Sequence, residues 1–338
     1  MPPKANKALA ALKTVTKLLT GLVLAAVAVF VIWGLFNLTT LKDWVILAGY
    51  KPPAEIAAIV AQDQMSAYAK TLFYVNRPAI LNKIDFAKQC PNRLQESYVI
   101  GCYHSGDNGI YLLNVTDPRL NGIIPVTAAY EMLHAGYARL NSAERNSLDS
   151  AMWSYYEKYV SSPEIHQQMA AYAKTEPGAK YDELYSVLGT EVMNLSPTLE
   201  RHYELYFKDR QAIVKTYQGY ESEFSQRQQI IASYDLQLSS LKNQINANQS
   251  QLASWQSSLS LQSKQMKNLL SSGDYYGYNA MLPGYNSQVN QYNQLLNQTK
   301  AQISQYNTLV SARNSLVLEE QQLVQSINSS SMPSLTTK

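Results

Sequence analysis

Tyr130, Glu131 and His134 stand in the run Tyr130-Glu131-Met132-Leu133-His134. Residues four apart share one face of a helix. Two histidines at this spacing would hold Zn²⁺ through neutral imidazole nitrogens, and the glutamate between them would take a proton from metal-bound water. Here the first of the two positions is tyrosine. A metal ligand must be deprotonated, and making phenolate at pH 7 costs about 4 kcal/mol. A structural zinc site releases roughly 10–16 kcal/mol, so that cost is survivable. Phenolate is also longer than imidazole and adds negative charge, which makes a metal-bound water less acidic. The expectation is a degenerate, weak or silent site, with Tyr130 as a doubtful ligand.

Such a site needs a third donor from another element. A candidate segment lies downstream, the run Asp182-Glu183-Leu184-Tyr185-Ser186-Val187-Leu188-Gly189-Thr190-Glu191. The elements that must position these residues are readable. Gly109 to Val115 is β-branched and aromatic, bounded by glycine and Asp-Pro, and predicts a strand. A helix is predicted over 125–140, with Pro125 in its first turn and Thr127 as a candidate cap. Further helices are predicted near 143–160 and 180–194, and one from about 197 onward. Residues 53–76 carry apolar side chains at helical spacing.

The segment Glu183-x-x-Ser186-x-x-Gly189 resembles the second conserved helix of thermolysin-like zincins, the gluzincins. The order of strand, E-x-x-H helix and Glu helix is similar too. The run around Glu131 also resembles a group of membrane-anchored bacterial proteins whose helix reads A-H-E-M-L-H-A. The resemblance covers about 53–210. It implies a zinc cofactor, Glu131 as general base, and His134 and Glu183 as zinc ligands. Tyr130 departs from the pattern at the first ligand. Taken one at a time, each residue has a structural reading: His134 as a core histidine, Glu131 in an ion pair with Arg139, Glu183 on a solvated face. An alternative metal site at His202 reads better as a charged helix face, and His104 falls in a predicted loop with no assigned role.

The chain has 338 residues and a formal charge of +3. Near-neutrality gives no sign of nucleic acid binding, and no phosphate-binding loop or nucleophile elbow is present. Residues 18–38 contain no charged side chain, enough for one crossing of ~30 Å of hydrocarbon. Lys4, Lys7, Lys13 and Lys17 precede them without an acidic residue. The positive-inside rule then leaves residues 1–17 cytoplasmic and the bulk of the chain extracytoplasmic. A cleaved signal peptide is the competing reading, against which the apolar run is long and lacks a clear cleavage site. Outside the cytoplasm Cys90 and Cys102 can form a disulfide. Its loop would contribute about 3 kcal/mol. Two buried thiols are the alternative.

Residues 211–330 are rich in Gln, Ser, Asn and Leu. Apolar residues recur there at heptad positions from Tyr217 through Met266 and again from Val289 through Ile327, as in a coiled coil. Gly, Pro and Ser between 271 and 286 predict the turn of an antiparallel hairpin; a coil between chains is the alternative. The expected fold is mainly α. A transmembrane helix (18–38) and a connector (39–52) lead to an α+β zincin-like head (53–210) with a small sheet, and the coiled-coil hairpin follows. Two functions compete. One is a zinc-metallopeptidase-like protein acting on peptides at the membrane, active or degenerate. The other is a non-catalytic surface protein working through its coiled coil, with a partner or by self-association.

Overall fold

The computed structural model describes residues 16–31, 38–91, 99–106, 109–175 and 178–328. The chain is mainly helical with one small sheet. It divides into two compact units: a head of residues up to 114 together with 122–217, and a second unit of 115–121 with 218–328.

Residues 16–31 form a helix, α1, whose side chains are all exposed. Residues 32–37, the end of the expected span, and 1–15, with three of its flanking lysines, lie outside the described residues. Among the described residues no helix is long and apolar enough to cross a membrane. The expected connector is partly helical, α2 (Leu38–Leu47). Buried Asp43 on α2 accepts two hydrogen bonds from Arg139, at 2.6 and 2.8 Å. Arg139 is therefore committed to Asp43, not to Glu131 as the sequence alternative had it.

The stretch 53–76 is two helices, α3 (Ala54–Gln62) and α4 (Ala67–Val75). They separate where Gln64 takes φ 48° and Ser66 accepts a hydrogen bond from the Ala69 amide, capping α4. Strand β1 (Ala79–Leu81), helix α5 (Lys83–Gln89), strand β2 (Gly101–His104) and strand β3 (Gly109–Leu113) follow. The sheet order is β1-β3-β2, parallel on one side of β3 and antiparallel on the other. His104 thus ends a strand and does not sit in a loop.

Next comes α6 (Ile123–Ala138). Only three of its sixteen residues escape burial, which makes it the central helix of the head. Its N-cap is Gly122, with φ 95°. Thr127 is not the cap: it lies one turn inside, its hydroxyl bonded to the Ile123 carbonyl. Four helices complete the order within the head: α7 (Ser142–Tyr159), α8 (Pro163–Thr175), α9 (Lys180–Thr190) and α10 (Pro197–Tyr203). The helix expected from about 197 onward is interrupted. After α10 the chain makes a bridge from Phe207 to Met65, and α11 (Arg210–Ser271) begins afresh. Arg210, 5 % exposed, pairs with Glu200 and donates to the carbonyls of Leu188, Val192 and Met193. It thereby satisfies acceptors at the C-terminal end of α9 that the helix itself cannot.

In the second unit α11 is joined to α12 (Tyr275–Ile327). The turn is only three residues, not the 271–286 stretch expected. Gly273 adopts φ 79°, the Asp274 amide returns to the Leu269 carbonyl, and the Asp274 side chain caps α12. Pro283 lies inside α12, where proline removes one backbone donor without ending this helix. The arms are joined by Gln228–Glu320, Arg313–Asp235, Asn248–Gln302 and Gln262–Gln288 hydrogen bonds. Each pair straddles the turn symmetrically, which is an antiparallel register.

Candidate active-site cleft

Helices α6 and α9 lie side by side and carry Tyr130, Glu131, His134 and Glu183. Their close approach has a cause at Gly189. A side chain there would place its Cβ 2.3 Å from Leu133 Cδ1 and 2.9 Å from the buried Tyr203 ring. One turn earlier on α9, the Ser186 hydroxyl donates to the Tyr130 carbonyl at 3.2 Å. Glu183, one turn earlier again, faces Tyr130 and His134. The three-residue spacing of Glu183, Ser186 and Gly189 is thus one face of α9 laid against α6.

The Tyr130 hydroxyl donates to Glu183 Oε2 at 2.6 Å. His134 Nδ1 is 2.8 Å from Asp182 Oδ1, and His134 Nε2 is 3.8 Å from Glu183 Oε2. The Tyr130 and His134 rings meet edge to face, with centroids 5.1 Å apart. Tyr172 of α8 lines the same cleft and lies close enough to Tyr130 for the two phenols to affect each other's titration. Glu131 is 6 % exposed and lies beneath β2: a Cβ on Gly101 would be 2.7 Å from its Oε1.

Burial dominates the electrostatics. It holds the Tyr130 phenol well above its ordinary pKa, and the neighbouring Tyr172, Glu183 and Glu191 add to the effect. Burial raises Glu131 to about 8; the His134 charge opposes this and Glu183 and Asp182 reinforce it. Burial works against a charge on His134, but Asp182, Glu183 and Glu131 together outweigh it and raise His134 to about 10. Tyr130 is thus a neutral phenol bonded to Glu183, and His134 an imidazolium bonded to Asp182.

These groups line a cleft of about 600 Å³. Its other walls are the α5 end, β2 and α8, contributing Lys88, Cys102, Tyr103, His104 and Tyr172 among others. The Cys90–Cys102 disulfide is formed, with Cα atoms 5.9 Å apart. It ties the end of α5 to β2 across the cleft rim.

The structure places Tyr130, Glu131, His134 and Glu183 on one cleft. Three participants were missed. Asp182 orients the His134 ring, although only its neighbour Glu183 was assigned. Tyr172 comes from α8, a helix with no motif of its own. His104 reaches the cleft from β2. The remaining histidines are structural: His166 bonds Tyr156 and the Val160 carbonyl, and His202 accepts or donates with Tyr185 at 2.6 Å.

Zinc requires three protein donors at about 2.0–2.2 Å from one point. His134 Nε2 and Glu183 are close to the separation of two such donors, and Asp182 stands behind the imidazole as an outer-shell carboxylate does. Tyr130 does not complete the set. It is a neutral phenol, and its proton points at the very oxygen that would bind metal. Among the described residues no group of three or more His, Cys, Asp or Glu is arranged to hold a metal ion. The donor set as it stands does not fit zinc. Comparison with known proteins gives no relative: no family, no curated protein and no solved structure matches the chain.

Proposed function

We propose that the chain is a membrane-anchored, zincin-like protein whose head binds peptide at the α6–α9 cleft, outside the cytoplasm, without hydrolysing it. The hydrogen bond from Tyr130 to Glu183 carries this reading, because it occupies a ligand position with a donor that zinc cannot use. Support for a peptide comes from β2. Among the described residues it pairs only with β3, it lines the cleft, and an extended chain could add to its other edge. The wild-type protein should contain no zinc and cleave no peptide. Stoichiometric zinc, with peptide cleavage lost in Glu131→Gln, would sink the reading.

Anchoring is supported by the uncharged run 18–38 and the basic residues before it. The protein should stay with membranes after alkaline extraction; release into the soluble fraction would contradict an anchor. We infer further that α11 and α12 form an antiparallel coiled coil within one chain. The heptad positions Tyr220, Leu241, Ile245, Leu252 and Met266 are buried among exposed neighbours. Cysteines placed at Gln262 and Gln288 should oxidise within a monomer, whereas a disulfide-linked dimer would favour self-association.

A further inference from the structure

We propose that α2 lies in the lipid interface, with Leu38, Leu41, Trp44 and Val45 seated at the headgroup boundary, and thereby holds the head against the membrane. This rests on the anchored reading and adds to it a second membrane contact, made by the head itself.

Helix α2 has two faces, and the head uses one of them. Asp43 is buried and bonded to Arg139. Arg77 donates to the Ile46 carbonyl, and the helix packs on α4. Just past its end, the Arg77 guanidinium lies 4.4 Å from the Tyr50 ring centroid, and Tyr50 meets Tyr74 of α4 edge to face. Leu38, Leu41, Trp44 and Val45 recur three or four apart, which gives them the opposite face. Trp44 is 72 % exposed, Val45 65 % and Leu38 53 %. Four large apolar side chains thus point away from the head on a helix that is fastened to it along its other side.

The place of α2 in the chain decides what covers this face. The uncharged run 18–38 ends on the first residue of α2, so the helix starts where the hydrocarbon crossing stops. A helix lying there buries its apolar side about 5–10 Å into the boundary between headgroups and acyl chains. The side chains suit that depth. Tryptophan favours the membrane–water interface, where its ring is apolar and its N–H finds a partner. Exposed Lys42 stands beside Leu41, and a lysine there lays its stem on lipid while its ammonium stays among the phosphates. Asp43 is the single acidic residue of α2. It is turned inward and neutralised by Arg139, so the outward face sets no negative charge against lipid. A second copy of the chain is a poorer occupant: a stable dimer buries roughly 800 Å² on each partner, more than four side chains of one short helix present.

The contact also bears on the cleft. Arg139 is the C-cap residue of α6. The Asp43–Arg139 pair therefore ties the helix that carries Tyr130 and His134 to the helix on the lipid, and gives the cleft a set orientation to the bilayer.

The test uses the full-length protein in phosphatidylcholine vesicles, with the emission of Trp44 taken as the difference between wild type and Trp44→Phe. Two quenchers are compared: acyl chains brominated near the headgroup, and iodide on both sides of the bilayer. An indole seated about 5–10 Å into the interface should lose about half its emission to the brominated lipid and little to iodide. Val45→Glu, a change at an exposed position, should reverse both responses; unchanged quenching in that variant would overturn the assignment of this face. Trp44 quenched by iodide and not by brominated lipid, in protein that floats with the vesicles, would overturn the interfacial helix while leaving the anchor standing. Shielding from both quenchers would mean that protein covers the face, and would overturn it too. Protein recovered apart from the vesicles would overturn the anchor and this inference together.

Discussion

Histidine in place of Tyr130 should turn the cleft into a zinc site. In the wild-type protein two donors, His134 Nε2 and Glu183, stand 3.8 Å apart, and the third position spends its proton on Glu183 at 2.6 Å. Zinc must break that hydrogen bond, which is worth about 1.5–3 kcal/mol because its acceptor is charged. It then finds no third donor. A four-ligand structural site releases roughly 10–16 kcal/mol, on the order of 3 kcal/mol per ligand. Tyr130→His removes the first cost and adds the missing ligand. Together these give about 5 kcal/mol, a change in affinity of roughly four orders of magnitude. The proton that His134 must release is common to both proteins and cancels. The assay is competition against a chromophoric chelator at pH 7.5, with metal-stripped protein and a circular dichroism spectrum to show that the fold persists. A folded variant that binds zinc less than about tenfold more tightly than wild type would refute the assignment of Tyr130 as the blocking residue.

Three further outcomes are expected. Reduction of Cys90–Cys102 should lower stability by about 3 kcal/mol for a loop of this length, read as a fall in melting temperature with reductant; an unchanged value would show that α5 and β2 hold without the bridge. Gly189→Ala must displace Leu133 and press on Tyr203, so it should cost about 1–3 kcal/mol in chemical denaturation; no change would mean the two helices are not in close contact. Asp63 is 3 % exposed, its Oδ2 has no hydrogen-bond partner among the described residues, and burial raises its pKa well above the ordinary value. The folded state therefore holds this proton to higher pH than the unfolded chain does. Stability from this group is full below the unfolded carboxylate pKa and falls as pH rises toward the folded one. Asp63→Asn should raise the melting temperature, more at pH 8 than at pH 5; the opposite pH trend would contradict this sign.

The sequence was most legible where function and periodicity coincide. Glu183, Ser186 and Gly189 recur every three residues because each meets α6, so the pattern on α9 is itself a record of packing. The heptads showed the same kind of regularity. They did not locate the turn, because Pro283 and Gly284 look like breakers while Gly273, between the two arms, is where the backbone takes a left-handed φ. Asp182 escaped notice because a single carboxylate beside Glu183 has no distinguishing spacing; its role exists only once His134 is brought within 2.8 Å. Tyr172 is one of 25 tyrosines, and nothing local marks it as the one that reaches Tyr130. Thr127 was taken for a cap on residue type, yet the helix begins four residues earlier, where Gly122 with φ 95° provides the entry.

The long helix α11 also bears on how the chain can be divided. Its first two turns belong to the head: Arg210, Ile213 and Val214 are 5 %, 2 % and 0 % exposed, and Arg210 closes the end of α9. The compact units part at 217–218, in the middle of an unbroken helix. Conversely, 115–121 belongs to the second unit although it sits between β3 and α6 in the chain. No single cut separates the two. A truncation at the helix boundary, before Arg210, would uncap the helix that carries Glu183. A truncation after Tyr217 would keep the cap but strip Leu120, 1 % exposed, of the unit to which it belongs, directly ahead of the helix that carries Tyr130.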